Sequence, residues 1–122
     1  FVIQKHDASR LHYDFRLELG GANGPIGGQG IALQPLVSLA VDRNIWPYGT
    51  PVLLSGDLST ASSGWEDFCR VLIAQDTGSA IIGPARGDLY VGSGDQAGTI
   101  AGRVRHKVEF IVLAPKPQAV TE

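Results

Sequence analysis

The chain has 122 residues, enough for one compact domain with a single hydrophobic core. Hydrophobic residues make up 43% and charged residues 18%, a balance that excludes a disordered chain. Ten basic against twelve acidic residues give a net charge of −2 with no Lys/Arg block, so nucleic acid is not an expected partner.

The elements follow from alternation. Phe1–Lys5 opens the chain as a strand-like run, with no signal-peptide pattern ahead of it. In His12–Leu19, Tyr13, Phe15, Leu17 and Leu19 fall on one face, and His12, Asp14, Arg16 and Glu18 on the other, the pattern of a half-buried strand. The Gly-rich stretch 20–30 predicts a long, tight loop. Further strands are expected at Val37–Val41, Pro51–Ser55, Cys69–Ala74, Gly87–Val91 and Val108–Leu113, with Asp57–Gly64 as a surface excursion.

Cys69 is the only cysteine, which excludes an internal disulfide and a cysteine-based zinc site; in its apolar run a small buried hydrophobe is expected. Ser93-Gly-Asp-Gln96 fits a capping box, and Ala97, Ile100, Ala101 and Val104 then recur at helical spacing, predicting one short helix near 94–104. Asp95 is expected in its first turn, where the helix dipole favours a carboxylate. Pro115 and Pro117 close the last strand, leaving a tail at 117–122. No apolar run is long enough to span a bilayer as a helix. Many short strands, tight turns and one helix predict an all-β domain of about six strands, closed as a small barrel to protect its edges.

Three aspartates sit where strands meet turns: Asp42 after Ser38-Leu-Ala-Val41, Asp76 before Thr77-Gly78, and Asp88 before Leu89-Tyr-Val-Gly92. Singly, each is ordinarily a turn or capping residue. Together, Gly24-Pro-Ile-Gly-Gly-Gln-Gly30, Ser38-Leu-Ala-Val-Asp-Arg43, Pro47-Tyr-Gly-Thr-Pro-Val52, Ala74-Gln-Asp-Thr-Gly-Ser-Ala-Ile81 and Asp88-Leu-Tyr-Val-Gly-Ser-Gly-Asp-Gln-Ala-Gly98 stand in order. From about Asn23 to Lys116 the chain resembles the C-terminal 3D domain of the membrane-bound lytic murein transglycosylase A family.

That resemblance implies a double-psi β-barrel and cleavage of the MurNAc–GlcNAc bond of peptidoglycan with formation of a 1,6-anhydro sugar. It implies Asp88 as catalytic acid, Asp76 as its companion and Asp42 as an orienting residue. Thr77 and Gly78 would shape the loop beneath the sugar, and Tyr90 is a candidate platform for a pyranose ring, with a packed aromatic as its alternative role. One carboxyl group suffices in such chemistry, because the sugar's own C6 hydroxyl replaces the water or second carboxylate of an ordinary glycosidase. Glycan strands are the implied partner, the periplasm or cell envelope the implied compartment, a monomer the expected state, and no cofactor is required. Ser79 stands where the family often has glycine, and Ile82 where it often has lysine.

The first nineteen residues, with His6, His12, Asp14 and Arg16, are very similar instead to the opening of the phosphoesterase domain of bacterial DNA ligase D. That second resemblance implies His6, His12 and Asp14 as ligands of a manganese-type ion and Arg16 as a phosphate contact, an alternative metal site. The histidine and tyrosine that complete the phosphoesterase site have no counterpart downstream. The chain is therefore expected to be composite: a foreign strand at 1–19, a Gly-rich junction at 20–30, a 3D-type barrel at 31–116 and a tail, forming one domain. The family's inserted second domain has no counterpart here, so weak cleavage is expected. The alternatives are a non-catalytic barrel and a metal-dependent 3′-phosphoesterase remnant.

Overall fold

The computed structural model describes residues 2–7, 10–14, 24–59, 64–92 and 108–117, the first two segments as backbone and register. Among the described residues seven strands run in chain order: β1 Val2–Asp7, β2 Arg10–Asp14, β3 Ser38–Val41, β4 Pro51–Gly56, β5 Phe68–Asp76, β6 Arg86–Tyr90 and β7 Glu109–Ala114. They form one sheet in the order β1-β7-β4-β5-β3-β6-β2. The architecture is all-β, as the alternation predicts. The predicted helix near 94–104 lies outside the described residues, as do residues 15–19 of the predicted strand His12–Leu19.

Where a closed barrel is predicted, the described ladders give an open order with β1 and β2 at its two edges. Those edges are nonetheless tied together by covalent geometry. Asp7 ends β1 and Arg10 begins β2, so their Cα atoms lie within about 11 Å of each other. A flat sheet of seven strands would hold its edges about 29 Å apart. The sheet must therefore curl strongly to bring its edge strands to one side.

The core follows from which residues share a face. Val52 and Leu54 of β4, Leu72 and Ala74 of β5, Leu89 of β6, and Phe110 and Val112 of β7 are all fully buried. In β4 and β7 they alternate with half-buried residues, the signature of a strand covered on one face. β3, whose two edges are paired with β5 and β6, is buried at all four positions. Phe110 is among the largest fully buried side chains and packs in this cluster with Leu39, Val41 and Leu58.

Two turns and a hairpin set the paths between these strands. In Pro47–Thr50 the Thr50 amide donates to the Pro47 carbonyl, and Gly49 takes φ 88°, the third position of a type II turn. In Gln34–Val37 the corresponding residue is Leu36 at φ 58°, a left-handed conformation that costs a β-carbon residue about 1 kcal/mol or more. Leu36 accepts this strain because its side chain packs against the core and its amide donates to Tyr90 O. The glycine-rich loop closes as a tight hairpin, with Gly27 N donating to Ile31 O and Leu33 N to Pro25 O.

Two expectations are corrected by burial. Cys69 is exposed rather than a buried hydrophobe, because the inward positions of β5 are Phe68, Leu72 and Ala74, and Cys69 lies between them. The segment beginning at Asp57 is not wholly on the surface: Leu58 is fully buried and anchors it, its amide donating to Trp65 O.

Candidate functional site

The three aspartates reach their positions by different local devices. β3 pairs parallel with β5 and antiparallel with β6, so it separates the strands that carry Asp76 and Asp88. Leu39 pairs with Ala74 but Ala40 pairs with Asp76, which makes Gln75 the extra residue of a β-bulge. Without that insertion Ala40 would face Gln75, and a one-residue slip turns every later side chain to the opposite face. The bulge therefore brings Asp76 into the row of Ala40. On its other side Ala40 pairs with Asp88.

Asp76, Ala40 and Asp88 thus form one row across three strands, with the two aspartate Cα atoms about 10 Å apart by strand spacing. The buried methyl of Ala40 is the smallest side chain that could stand between them. The row continues to β2, where His12 holds the register position opposite Asp88.

Asp76 is buried, 4% exposed, and its Oδ1 accepts a hydrogen bond from the Gly28 amide at 2.8 Å. A β-carbon at Gly28 would meet Tyr48 Oη, so the glycine leaves room for the tyrosine tip to pack over this approach. A β-carbon at Gly27 would lie 2.6 Å from Gln75 O and 2.6 Å from Leu33 Cδ2. The Gly24–Gly30 phrase is thus a close backbone approach to the end of β5.

Asp88 is more open. Its side chain is 23% exposed, and its Oδ1 lies 3.6 Å from Arg86 Nε on the same face of β6. Gly87 between them faces the core, where an added β-carbon would meet Leu39 Cδ1 at 3.0 Å and Phe110 Cε2 at 3.3 Å. The missing side chain lets β6 press onto the core at the point where it presents Asp88.

Asp42 does not join the row. Its Oδ1 accepts from Asn44 N at 3.0 Å and its Oδ2 from Gly83 N at 2.9 Å. Its carbonyl accepts from Ile45 N and Trp46 N. Trp46 Nε1 in turn donates to Pro84 O at 2.8 Å. Asp42 and Trp46 therefore clamp the loop joining Asp76 to Asp88 onto the turn after β3.

Thr77 Oγ1 donates to Val41 O at 2.8 Å, fixing the start of the same loop. Thr77 and Gly78 line an open cavity of about 450 Å³ together with Asp42, Arg43 and Ser79. Tyr90 is 3% exposed and cannot offer a ring face to a sugar; it takes the packed role, because β6 turns its C-terminal end into the core.

The sequence reading did not single out Ala40, Gln75, Gly28 or Arg86. For Arg86 the signal was available, since it stands two residues before Asp88 on a strand and so shares its face. Among the described residues no group of three or more His, Cys, Asp or Glu side chains is placed to hold a metal ion. The side chains of His6, His12 and Asp14, and all of Arg16, lie outside the described residues. Among the described residues no helix is long and apolar enough to cross a membrane.

The family model described as the 3D domain matches residues 37–114, which span β3 to β7 and hold all three aspartates. The chain belongs to the 3D-domain family. Within known 3D-domain proteins it is 43% identical over 82 residues to the membrane-bound lytic murein transglycosylase A of Vibrio cholerae, covering 66% of this chain and 22% of that protein. A crystal structure of the membrane-bound lytic murein transglycosylase from Agrobacterium tumefaciens superposes with a TM-score of 0.69 at 43% identity, over 75% of this chain and 26% of that one. MltA of E. coli with bound chitohexaose gives a TM-score of 0.68 at 30% identity, over 77% of this chain and 29% of that one. The chain thus spans about a quarter of the length of these relatives.

A separate short match, 81% identical over 21 residues, is to the multifunctional non-homologous end joining protein LigD of Pseudomonas aeruginosa; it covers 17% of this chain and 2% of that protein.

Proposed function

We propose that this 3D domain carries the acid–base centre of a peptidoglycan lytic transglycosylase, with Asp88 as the group that acts twice. The row Asp76–Ala40–Asp88 is the observation that carries this reading. It sets a partly exposed aspartate and a buried one at the register positions on either side of Ala40.

In the first step protonated Asp88 gives its proton to the glycosidic oxygen as the C1–O bond of MurNAc breaks, and GlcNAc leaves as an alcohol. In the second, the Asp88 carboxylate takes the C6 hydroxyl proton as O6 bonds to C1. The 1,6-anhydro ring closes, the acid is restored, and no water is consumed. Asp76, held by the Gly28 amide, supplies a fixed negative field beside the developing positive charge at C1. Asp42 keeps the intervening loop in place, and the Thr77–Gly78 cavity offers room for part of a sugar.

The names of the relatives support the substrate class, since they are lytic murein transglycosylases, and one was solved with chitohexaose. Glycan strands of the cell envelope are accordingly the proposed partner, with the domain acting as a monomer. Turnover by this chain alone is expected to be slow. Positioning over several sugars supplies much of such an enzyme's rate, and the chain spans 22% of its Vibrio relative.

The test is digestion of purified peptidoglycan followed by mass spectrometry of the soluble products. Muropeptides ending in 1,6-anhydroMurNAc are expected, and none from Asp88→Asn. Reducing-end products, or equal anhydro products from Asp88→Asn, would overturn the assignment. A folded protein that releases nothing would replace it with a non-catalytic role.

A further inference from the structure

Arg86 and Asp88 occupy alternate positions on β6 and so share one face of the strand. Their Nε and Oδ1 atoms are buried and 3.6 Å apart, beyond the 2.7–3.2 Å or so of an N–H···O hydrogen bond. Each side chain nevertheless keeps 23% exposure. The buried Nε edge is therefore turned toward the acid, and the exposure left to the side chain falls outside that edge.

A guanidinium carries five N–H donors in a rigid fork, and an ion pair at this distance does not occupy them. Nothing on β3 competes for them, since the residues paired with this part of β6 are Ala40 and Val41. On β2 the register position opposite Arg86 is Arg10, another cation. A half-exposed ion pair contributes little to stability, so structure alone gives weak reason for an arginine here. Neutral sugars are rich in hydroxyl, ring and amide oxygens that accept from such a fork.

We infer that Arg86 is a substrate-positioning residue whose outer guanidinium nitrogens donate to an oxygen of the N-acetylated sugar beside the bond that Asp88 protonates. The inference rests on the glycan reading of the site and adds a recognition element to it. Because Arg86 stands two residues from the acid on one strand, the sugar it holds is fixed relative to the acid without an intervening loop. Arginine is the suited residue, since lysine offers a point charge in place of a planar fork.

The test measures chitohexaose affinity by calorimetry or NMR titration in the Asp88→Asn chain, which binds without cleavage on this reading. Adding Arg86→Gln is expected to weaken binding about tenfold or more, the loss typical of a hydrogen bond from a charged donor. Arg86→Lys should fall between the two. Thermal melts of all three should agree to within a few degrees, and if Arg86→Gln does not fold, Arg86→Lys carries the comparison. Equal affinity in parent and variants would overturn the inference while leaving the role of Asp88 intact. Loss of affinity in a protein whose wild type makes no anhydro product would sink the catalytic reading and keep this one. A parent that binds no chitohexaose at millimolar concentration overturns it outright.

Discussion

Asp42 Oδ2 accepts the Gly83 amide at 2.9 Å across 41 residues of sequence. With the Trp46–Pro84 hydrogen bond beside it, this contact holds the middle of the loop whose ends carry Asp76 and Asp88. Asp42 is 8% exposed, and its other oxygen is taken by the Asn44 amide, so both oxygens of the carboxylate hold backbone.

Removing that clamp leaves the Asn44 and Gly83 amides of two part-buried contacts without their acceptors. Asp42→Ala is expected to cost about 2–3 kcal/mol of stability, and Asp42→Asn less, since an amide oxygen can still accept one bond. Urea unfolding of the two variants checks the order. Equal stability of Asp42→Ala and wild type would show that Asp42 does not clamp the loop.

Ala40 separates the two carboxyl-bearing residues. Ala40→Val adds two methyl groups at a 3% exposed position, and overpacking there should cost about 1–3 kcal/mol. Anhydro-muropeptide release should fall further than stability, because the wedge stands between Asp76 and Asp88. Retained activity in a folded Ala40→Val chain would argue against the row as the site.

Gly27 lies against the carbonyl of Gln75, the bulge residue. Gly27→Ala would place its β-carbon 2.6 Å from that backbone oxygen, which cannot rotate away. A loss of about 1–3 kcal/mol is expected, with the Gly28–Asp76 hydrogen bond broken as the hairpin lifts. Amide exchange at Gly28 reports this directly and should become fast.

Phe110 joins the faces of β7, β4 and β6. Phe110→Ala is expected to cost about 3–5 kcal/mol, the range for deleting a fully buried ring. In a chain this small such a loss approaches total stability, so denaturation near room temperature is the expected result by circular dichroism.

Cys69 is the accessible thiol of β5. Ellman's reagent should label it in the native protein nearly as fast as in urea. Cys69→Ser should change stability by less than about 0.5 kcal/mol, as for other surface substitutions. Slow native labelling would place it in the core instead.

The sequence alone determined the strand composition, the turn glycines and the order of the aspartate phrases. These are local properties: alternation reports which residues share a strand face, and a glycine beside a polar turn residue reports a required φ. It also located Asp42 and Asp76 where strands end, whereas Asp88 stands in the middle of β6. Tertiary structure decided what those positions mean. Asp76 and Asp88 share a row only because β3, from an earlier part of the chain, inserts between their strands. That row depends on a one-residue bulge at Gln75, which no periodicity reveals. Tyr90 turns inward and Cys69 outward for the same reason: which face of a strand is covered depends on its neighbours in the sheet, and those neighbours are distant in sequence. Arg86 became informative only when the strand geometry put it beside the proposed acid, where a partly exposed arginine acquires a carboxylate neighbour.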